Sequence, residues 1–434
     1  MKSPQGFNRR QFLRGTTAAG MAVAFPTIIT SKAFGDDTTA PASERIRLGF
    51  MGVKNQGAGN IRGFSGQKTA EVAAVCDVDQ NVLAAAKTLA EERGATNVLA
   101  FHDYREMLDR NDIDAIVITT HDHWHALPTV DACKAGKDAF TEKPLSLTIV
   151  EGQKMVEAAR KYDRVVQTGS QQRSNDRFRR ACELVRNGKL GKIKKVTVGL
   201  PGVNFDGPAV PDSNPPPELD YDFWLGPAPD RPYNEKQVHY NFRFFWPYSG
   251  GQMTNWGAHH LDIVQWALGR DDSGPVEIAC ESVEYHPQNL YEVPTTCTLL
   301  YTYDDGIPVH CIQGGAPFNG TLFEGEEGTL YIDRGKLETN PKEIAEADLG
   351  AEAVRLYESR SHFGDWLECI KSREKPICDV AIGHRSATVC HLCNIAARTG
   401  RTIRWDPKAE KILGDDEAAA LADYSYREPW KLTV

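Results

Sequence analysis

No part of this 434-residue chain concentrates positive charge. Its 50 lysines and arginines are dispersed and outnumbered by 59 acids, for a net charge of -9. Phosphate-backbone binding needs a dense cationic surface, which argues against nucleic acid as a partner. No internal repeat recurs along the chain, so solenoid architectures are set aside. Cys390 and Cys393 form one C-x-x-C with no second pair to complete a four-cysteine zinc site. The segment around them, VCHLCNIAARTG, reads as a packed helix. Gly15 to Ser31 is uncharged, but Pro26 and many small residues make it a poor membrane span. What is present is ordinary for a globular protein, with 41% apolar and 25% charged residues in a length that allows two domains.

Asn8-Arg9-Arg10-Gln11-Phe12-Leu13-Arg14 precedes that uncharged stretch. A basic region, a weakly apolar region and a polar exit form an export signal, and the paired arginines resemble a twin-arginine leader. The expectation is a signal over residues 1–35, cleavage near Ala33 to Gly35, export machinery as a partner and a periplasmic location. Several of the ten cysteines lie in apolar segments, as in VAAVCDV, VDACKAG and VHCIQ. Folding before export would leave them reduced, as small buried apolar groups.

From Arg45 the pattern alternates strands and helices. RIRLGFMGV, EVAAVCDVD, DAIVITT, DAFTEKP and VVQTGS read as strands. Helices are expected at Gln80 to Arg93, in FHDYREML, in HALPTVDACKAG and at Thr148 to Lys161. This spacing predicts βαβ units and a parallel Rossmann sheet over residues 44–170. After Gln171 come a helix (FRRACELVRNGKLG), the strand KIKKVTVGL and a proline-rich loop. EIACESVEY, TTCTLLYTY, PVHCIQGG and TLFEGEEGTLYID then read as strands. The expected fold is α/β, with a C-terminal α+β domain over 171–434 built on an open, largely antiparallel sheet.

The first strand runs into GFMGVKNQGAGN. Gly52 and Gly57 take the first and third glycine positions of G-x-G-x-x-G, the turn that lets a pyrophosphate approach the backbone, while Lys54 stands in the second. Asp77 ends the second strand, where a carboxylate can accept from both ribose hydroxyls and repel a 2′-phosphate. That favours NAD over NADP.

Glu142-Lys143-Pro144 follows a strand and precedes a helix. With HDHWHALPTVDACKAGKDAFTEKPL, GSQQRSNDRFRRACELVRNGKLGKI and WPYSGGQMTNWGAHHLDIVQWALG, it resembles the glucose-fructose oxidoreductase/inositol dehydrogenase/rhizopine-catabolism (Gfo/Idh/MocA) family. The resemblance covers nearly all of the chain after the leader, and the leader with the ending RTIRWDP…YREPW is similar to the family's exported bacterial branch. It implies a nicotinamide-dependent oxidoreductase acting on a sugar, cyclitol or related polyol, with tightly bound NAD and a homodimeric or homotetrameric assembly. Lys143 then binds the reacting oxygen. Cofactor contacts are expected from Gly52, Lys54, Asn55, Gln56, Gly57, Asp77, His121, Trp124, His125, Glu142, Lys143 and Gln171. The H-x-H-x-H spacing at His121, His123 and His125 would also suit a metal, but no cysteine or tight carboxylate cluster accompanies it, so no metal is assigned.

In the family a D-x-x-x-H pattern supplies the histidine that exchanges the hydroxyl proton. Here it reads Asn255 to His259. Helical spacing predicts that Asn255, His259 and Asp262 share one face, with Asp262 lending charge to His259, while His260 is rotated by about 100° and packs. Arg231, Tyr233, Arg243, Trp246 and Tyr248 precede this helix as substrate candidates, since aromatic rings stack on sugars and arginines bind hydroxyls or carboxylates. Two other functions fit the same scaffold: an NAD-dependent glycosidase working by transient oxidation and elimination, and a non-catalytic sugar or nucleotide sensor.

Overall fold

The computed structural model describes residues 39–205 and 207–434. The leader expected over residues 1–35 lies outside them. Ile46–Met51 (β1) is buried at every position but Arg47, and Ala115–Ile118 (β4) and Asp138–Thr141 (β5) are buried throughout. Strands buried on both faces need helices above and below, and a parallel sheet with crossover helices supplies them. Ala70–Cys76 (β2), Leu99–Phe101 (β3) and Val166–Thr168 (β6) complete a six-stranded sheet in the order β3-β2-β1-β4-β5-β6, with every pair parallel. The order reverses between β1 and β4, so a crevice opens at the carboxyl ends of those strands. FHDYREML was expected to be helical throughout. Its first residue instead ends β3, and the helix begins at Tyr104 behind the Asp103 cap.

The second sheet has nine strands. They are Ile193–Leu200 (β7), Glu277–Glu284 (β8), Thr296–Thr302 (β9), Pro308–Gln313 (β10), Gly320–Gly325 (β11), Thr329–Ile332 (β12), Leu337–Asn340 (β13), Ile403–Asp406 (β14) and Lys411–Ile412 (β15). The order is β13-β12-β11-β7-β10-β9-β8-β14-β15, with β7 and β10 parallel and the other pairs antiparallel. Burial alternates strictly along β9, so one face packs on helices Asp176–Arg186, Gly257–Leu268 and Val380–Thr399. TLFEGEEGTLYID is two strands rather than one: Gly325 and Gly328 close a hairpin between β11 and β12.

The chain after residue 171 is not confined to the second domain. Helix His362–Ser372 returns to the first sheet, where Trp366 packs edge-on against Phe64 and Phe140 and donates its indole N–H to Val165 O over 3.3 Å. The tail returns too, with Trp430 set 4.9 Å from Trp124. These late segments rivet the Rossmann layer to the rest. All ten cysteines are free thiols and nine are buried, Cys390 and Cys393 inside the long helix. Among the described residues, no helix is long and apolar enough to cross a membrane.

Candidate active site

At the end of β1, Gly52 has a φ of 72°, and a Cβ there would lie 2.7 Å from the backbone of Thr119 and Thr120. A Cβ on Gly57 would come within 2.0 Å of Gly52 O. Both positions therefore admit only glycine, and between them the backbone lies open to a ligand at the start of helix Gln56–Ser65. Lys54 is not among the positive-φ residues, so its position does not demand glycine. Its exposed ammonium instead lies near Asp77 and favours that residue's ionised form. Asp77 accepts from the amides of Val53 and Asp79, each over 3.0 Å, and those bonds and Lys54 oppose the upward push that burial gives its pKa. A pinched glycine turn facing a strand-end carboxylate fits the phosphates and ribose of a dinucleotide.

The cleft beside this turn has a volume of about 350 Å³. Its far wall is Lys143, at the end of β5. Glu142 accepts from Gln56 Nε2 over 3.3 Å, from Asn60 Nδ2 over 3.2 Å and from the Lys143 amide over 3.2 Å. Gly169 leaves room for this carboxylate, because a Cβ there would stand 2.7 Å from its oxygen. Glu142 thus ties the lysine loop to the helix that begins at the glycine turn. The Lys143 ammonium donates to Asn255 Oδ1 over 2.9 Å and to Asn255 O over 3.3 Å. Asn255 Nδ2 donates to Gln252 Oε1 over 2.9 Å, which orients its oxygen toward the lysine. Burial lowers the Lys143 pKa, Glu142 and Asp122 oppose that shift, and Arg243 and Arg334 add to it.

TNWGAHHLDI is not one helix. Gly251–Asn255 and Gly257–Leu268 abut at Trp256, so the expected face from Asn255 to His259 is interrupted. His259 is buried and its Nδ1 has no hydrogen-bond partner among the described residues. Burial, then Lys143 and Arg334, hold its pKa well below the usual histidine value. It does not line the cleft. Asp262 does not serve it: both Asp262 oxygens are held by Arg173 at 2.8–3.0 Å, and Ser386 donates to one over 2.6 Å. Arg173 also binds Asp271, so Asp262 belongs to a buried ionic core. His260 stacks on Trp256 at 5.9 Å and 10°.

Of the other expected cofactor contacts, Lys54, Asn55, Gln56, His121 and Trp124 line the cleft. His125 lies outside it, with its ring nitrogens against Pro144 O at 2.7 Å and Thr120 O at 3.1 Å. Gln171 is exposed and away from the cleft, and its neighbour Gln172 donates to His259 O instead. The histidine triplet does not converge, for His123 meets Trp224 O at 3.1 Å.

The substrate candidates separate. Arg243 lines the cleft. Arg231 is ion-paired with Glu292, Tyr233 packs edge-on to Tyr221, and Tyr248 is fully buried beside Trp224. Trp246 lines a different cavity, under Arg398. YNFRFFWPY thus divides between wall and core, because its irregular backbone gives no period to sort inward from outward residues. Sequence reasoning missed Asp122 and Ser249, both in the cleft wall and joined by a hydrogen bond. They stand 127 positions apart, and no local pattern links them. Tyr240, also in the wall, opens the aromatic segment and His239 precedes it, so both could have been found from it.

A parallel sheet with a glycine turn and strand-end carboxylate, beside a cleft closed by loops and short helices of a second domain, has the architecture of a two-domain dinucleotide-binding protein. The chain belongs to the Gfo/Idh/MocA oxidoreductase family: residues 46–170 match its NAD-binding Rossmann fold and residues 177–432 its C-terminal alpha/beta domain. Its fold is similar to that of an aldose-aldose oxidoreductase from Caulobacter crescentus complexed with glycerol, with a TM-score of 0.62 and 19% identity, covering 83% of this chain and 99% of that one. The WlbA dehydrogenase from Bordetella pertussis, in complex with NADH and UDP-GlcNAcA, gives a TM-score of 0.63 and 18% identity, covering 83% and 99%. Among curated proteins, the chain is 37% identical over 169 residues to glycosyl hydrolase family 109 protein 2 of Shewanella sp. (strain ANA-3), covering 36% of this chain and 37% of that one. It is 36% identical over 124 residues to an alpha-N-acetylgalactosaminidase of Shewanella oneidensis, covering 28% and 27%. The match thus spans little more than a third of the length of the first of these relatives.

Proposed function

We propose that the protein uses NAD to move hydride to or from a hydroxyl carbon of a sugar, cyclitol or related polyol. The observation that carries this reading is Lys143, half-buried with a lowered pKa at the edge of the cleft and aimed by Asn255. Gly52, Gly57 and the start of helix Gln56–Ser65 would hold the cofactor phosphates, and Asp77 would hold a ribose and discriminate against a 2′-phosphate. When bound, the nicotinamide supplies a hydride acceptor and donor.

The rest of the chemistry belongs to the chain. The Lys143 ammonium stabilises the oxygen of the reacting hydroxyl as it becomes an alkoxide. His259 is kept neutral by burial and by two neighbouring cations but does not line the cleft, so the proton that leaves that oxygen would reach it only by way of Lys143. Asn255 orients the lysine but adds no charge, so this histidine is a weaker base than one facing an aspartate. The test is uptake of NAD by the purified protein, followed by reduction at 340 nm when a panel of polyols is added. A protein that takes up neither NAD nor NADP contradicts the reading.

The curated glycosyl hydrolase relatives favour a second reading, in which the hydroxyl is oxidised, the aglycone is eliminated and the sugar is reduced again on the same cofactor. Cleavage of a nitrophenyl glycoside with no net NADH supports it, whereas NADH formed in proportion to product supports the dehydrogenase. Export is also part of the proposal, supported by Arg9, Arg10 and the residues around them. Periplasmic fractionation, with Arg9 and Arg10 replaced by lysine as the control, tests it.

A further inference from the structure

Among the described residues, Arg243 is a cation with no hydrogen-bond or ion-pair partner for its N–H groups. It lies on the turn Asn241–Phe244, half-buried, and lines the cleft with Lys143. Its guanidinium carbon sits 4.1 Å from the centre of the Tyr240 ring and 5.3 Å from that of Phe242. Ring contacts fix the position of the group but occupy none of its five donors. Among the described residues, no hydrogen bond or ion pair engages it. Other arginines of the fold differ: Arg231 has Glu292, Arg373 has Asp138, and Arg173 has Asp262 and Asp271.

The acids closest to this end of the cleft are committed elsewhere. Asp122 accepts from Ser249, and Glu142 accepts from Gln56 and Asn60. Arg243 is near enough to Lys143, Asp122 and His121 to act on the charge of all three. A partly desolvated guanidinium held flat, with its fork of donors free, matches the geometry of a carboxylate.

We propose that the substrate is a sugar acid and that Arg243 binds its carboxylate while Lys143 holds the reacting hydroxyl. The proposal rests on the polyol-oxidation reading and narrows it. A cofactor phosphate is the other oxyanion that could reach a cleft arginine. The glycine turn already provides for the phosphates on the Rossmann side, whereas Arg243 comes from the opposite domain and stands beside Lys143.

The test is calorimetric titration of the full chain loaded with NADH, using matched pairs: D-glucose and D-glucuronate, D-galactose and D-galacturonate, D-glucitol and D-gluconate. The expected result is that the acid of at least one pair binds about tenfold or more tighter than its neutral partner. Arg243→Gln should remove that preference, Arg243→Lys should retain part of it, and NADH affinity should be unchanged in both. Equal binding within every pair overturns the proposal, as does a preference that survives Arg243→Gln. A loss that falls on NADH assigns Arg243 to the cofactor and also overturns it. If the protein takes up no nicotinamide, the oxidation reading fails, while the same titration without cofactor still shows whether acids are preferred.

Discussion

The Lys143 ammonium donates to the Asn255 side-chain oxygen over 2.9 Å, joining the end of the first sheet to the helix that introduces the second domain's histidines. This bond makes the asparagine part of the lysine's environment rather than a histidine partner. Asn255→Asp would place a carboxylate against the ammonium and favour its charged form. It would also offset part of the field that lowers His259. Both groups should then titrate at higher pH, and the pH–rate profile should move to higher pH. An unmoved profile would remove Lys143 and His259 from the proton chemistry.

Lys143→Met should leave the fold and the cofactor site intact and remove stabilisation of the developing alkoxide. The expected loss in turnover is about 10²–10³-fold or more, the scale of removing an oxyanion donor. Steady-state kinetics beside a dinucleotide titration checks it, since a structural lysine would change both together.

Asp262→Asn separates the two roles considered for that carboxylate. Both of its oxygens engage Arg173, and both side chains are almost fully buried. Removing the charge should destabilise the protein by about 3–5 kcal/mol, the cost of stranding a buried partner. Denaturant unfolding should show this loss, and the pH–rate profile should keep its position.

Acid should unfold the protein through its histidines. Burial pushes His123, His260 and His391 down to about 4 and His362 down to about 3. Between those values and the ordinary histidine value near 6.5, the unfolded chain binds protons that the folded chain refuses. Stability therefore falls as pH drops through that window, by about 1.4 kcal/mol per pH unit for each group. Glu151, pushed up to about 7 by burial, works in the opposite sense with the raised Asp77, Asp122 and Asp365, while the lowered His121, His239 and His259 add to the histidine side. Melting temperatures measured from pH 7 to pH 4 should decline steadily.

Much of this molecule was legible in the sequence where residues adjoin. The alternation of short apolar strands and helices announced a parallel sheet, and Gly52, Gly57, Asp77 and Glu142-Lys143-Pro144 lie at the strand ends where the cleft opens. Contacts across long separations were not legible. Nothing local ties Asp122 to Ser249, or Trp366 to Phe64 and Phe140 in the first core. The misplaced role of Asp262 has a plain cause: helical spacing tells which residues share a face, but not that Arg173 waits on that face, nor that Trp256 breaks the helix before it.

The central claim is that the Gly52–Gly57 turn and Asp77 hold a nicotinamide dinucleotide beside Lys143. It is tested most directly by incubating the purified chain with NAD, desalting, denaturing it and identifying the released nucleotide by mass. The account predicts about one NAD or NADH per chain from the wild type and none from Gly57→Ala, whose Cβ would meet Gly52 O at 2.0 Å. No nicotinamide from the wild type, or an undiminished amount from the variant, would contradict it.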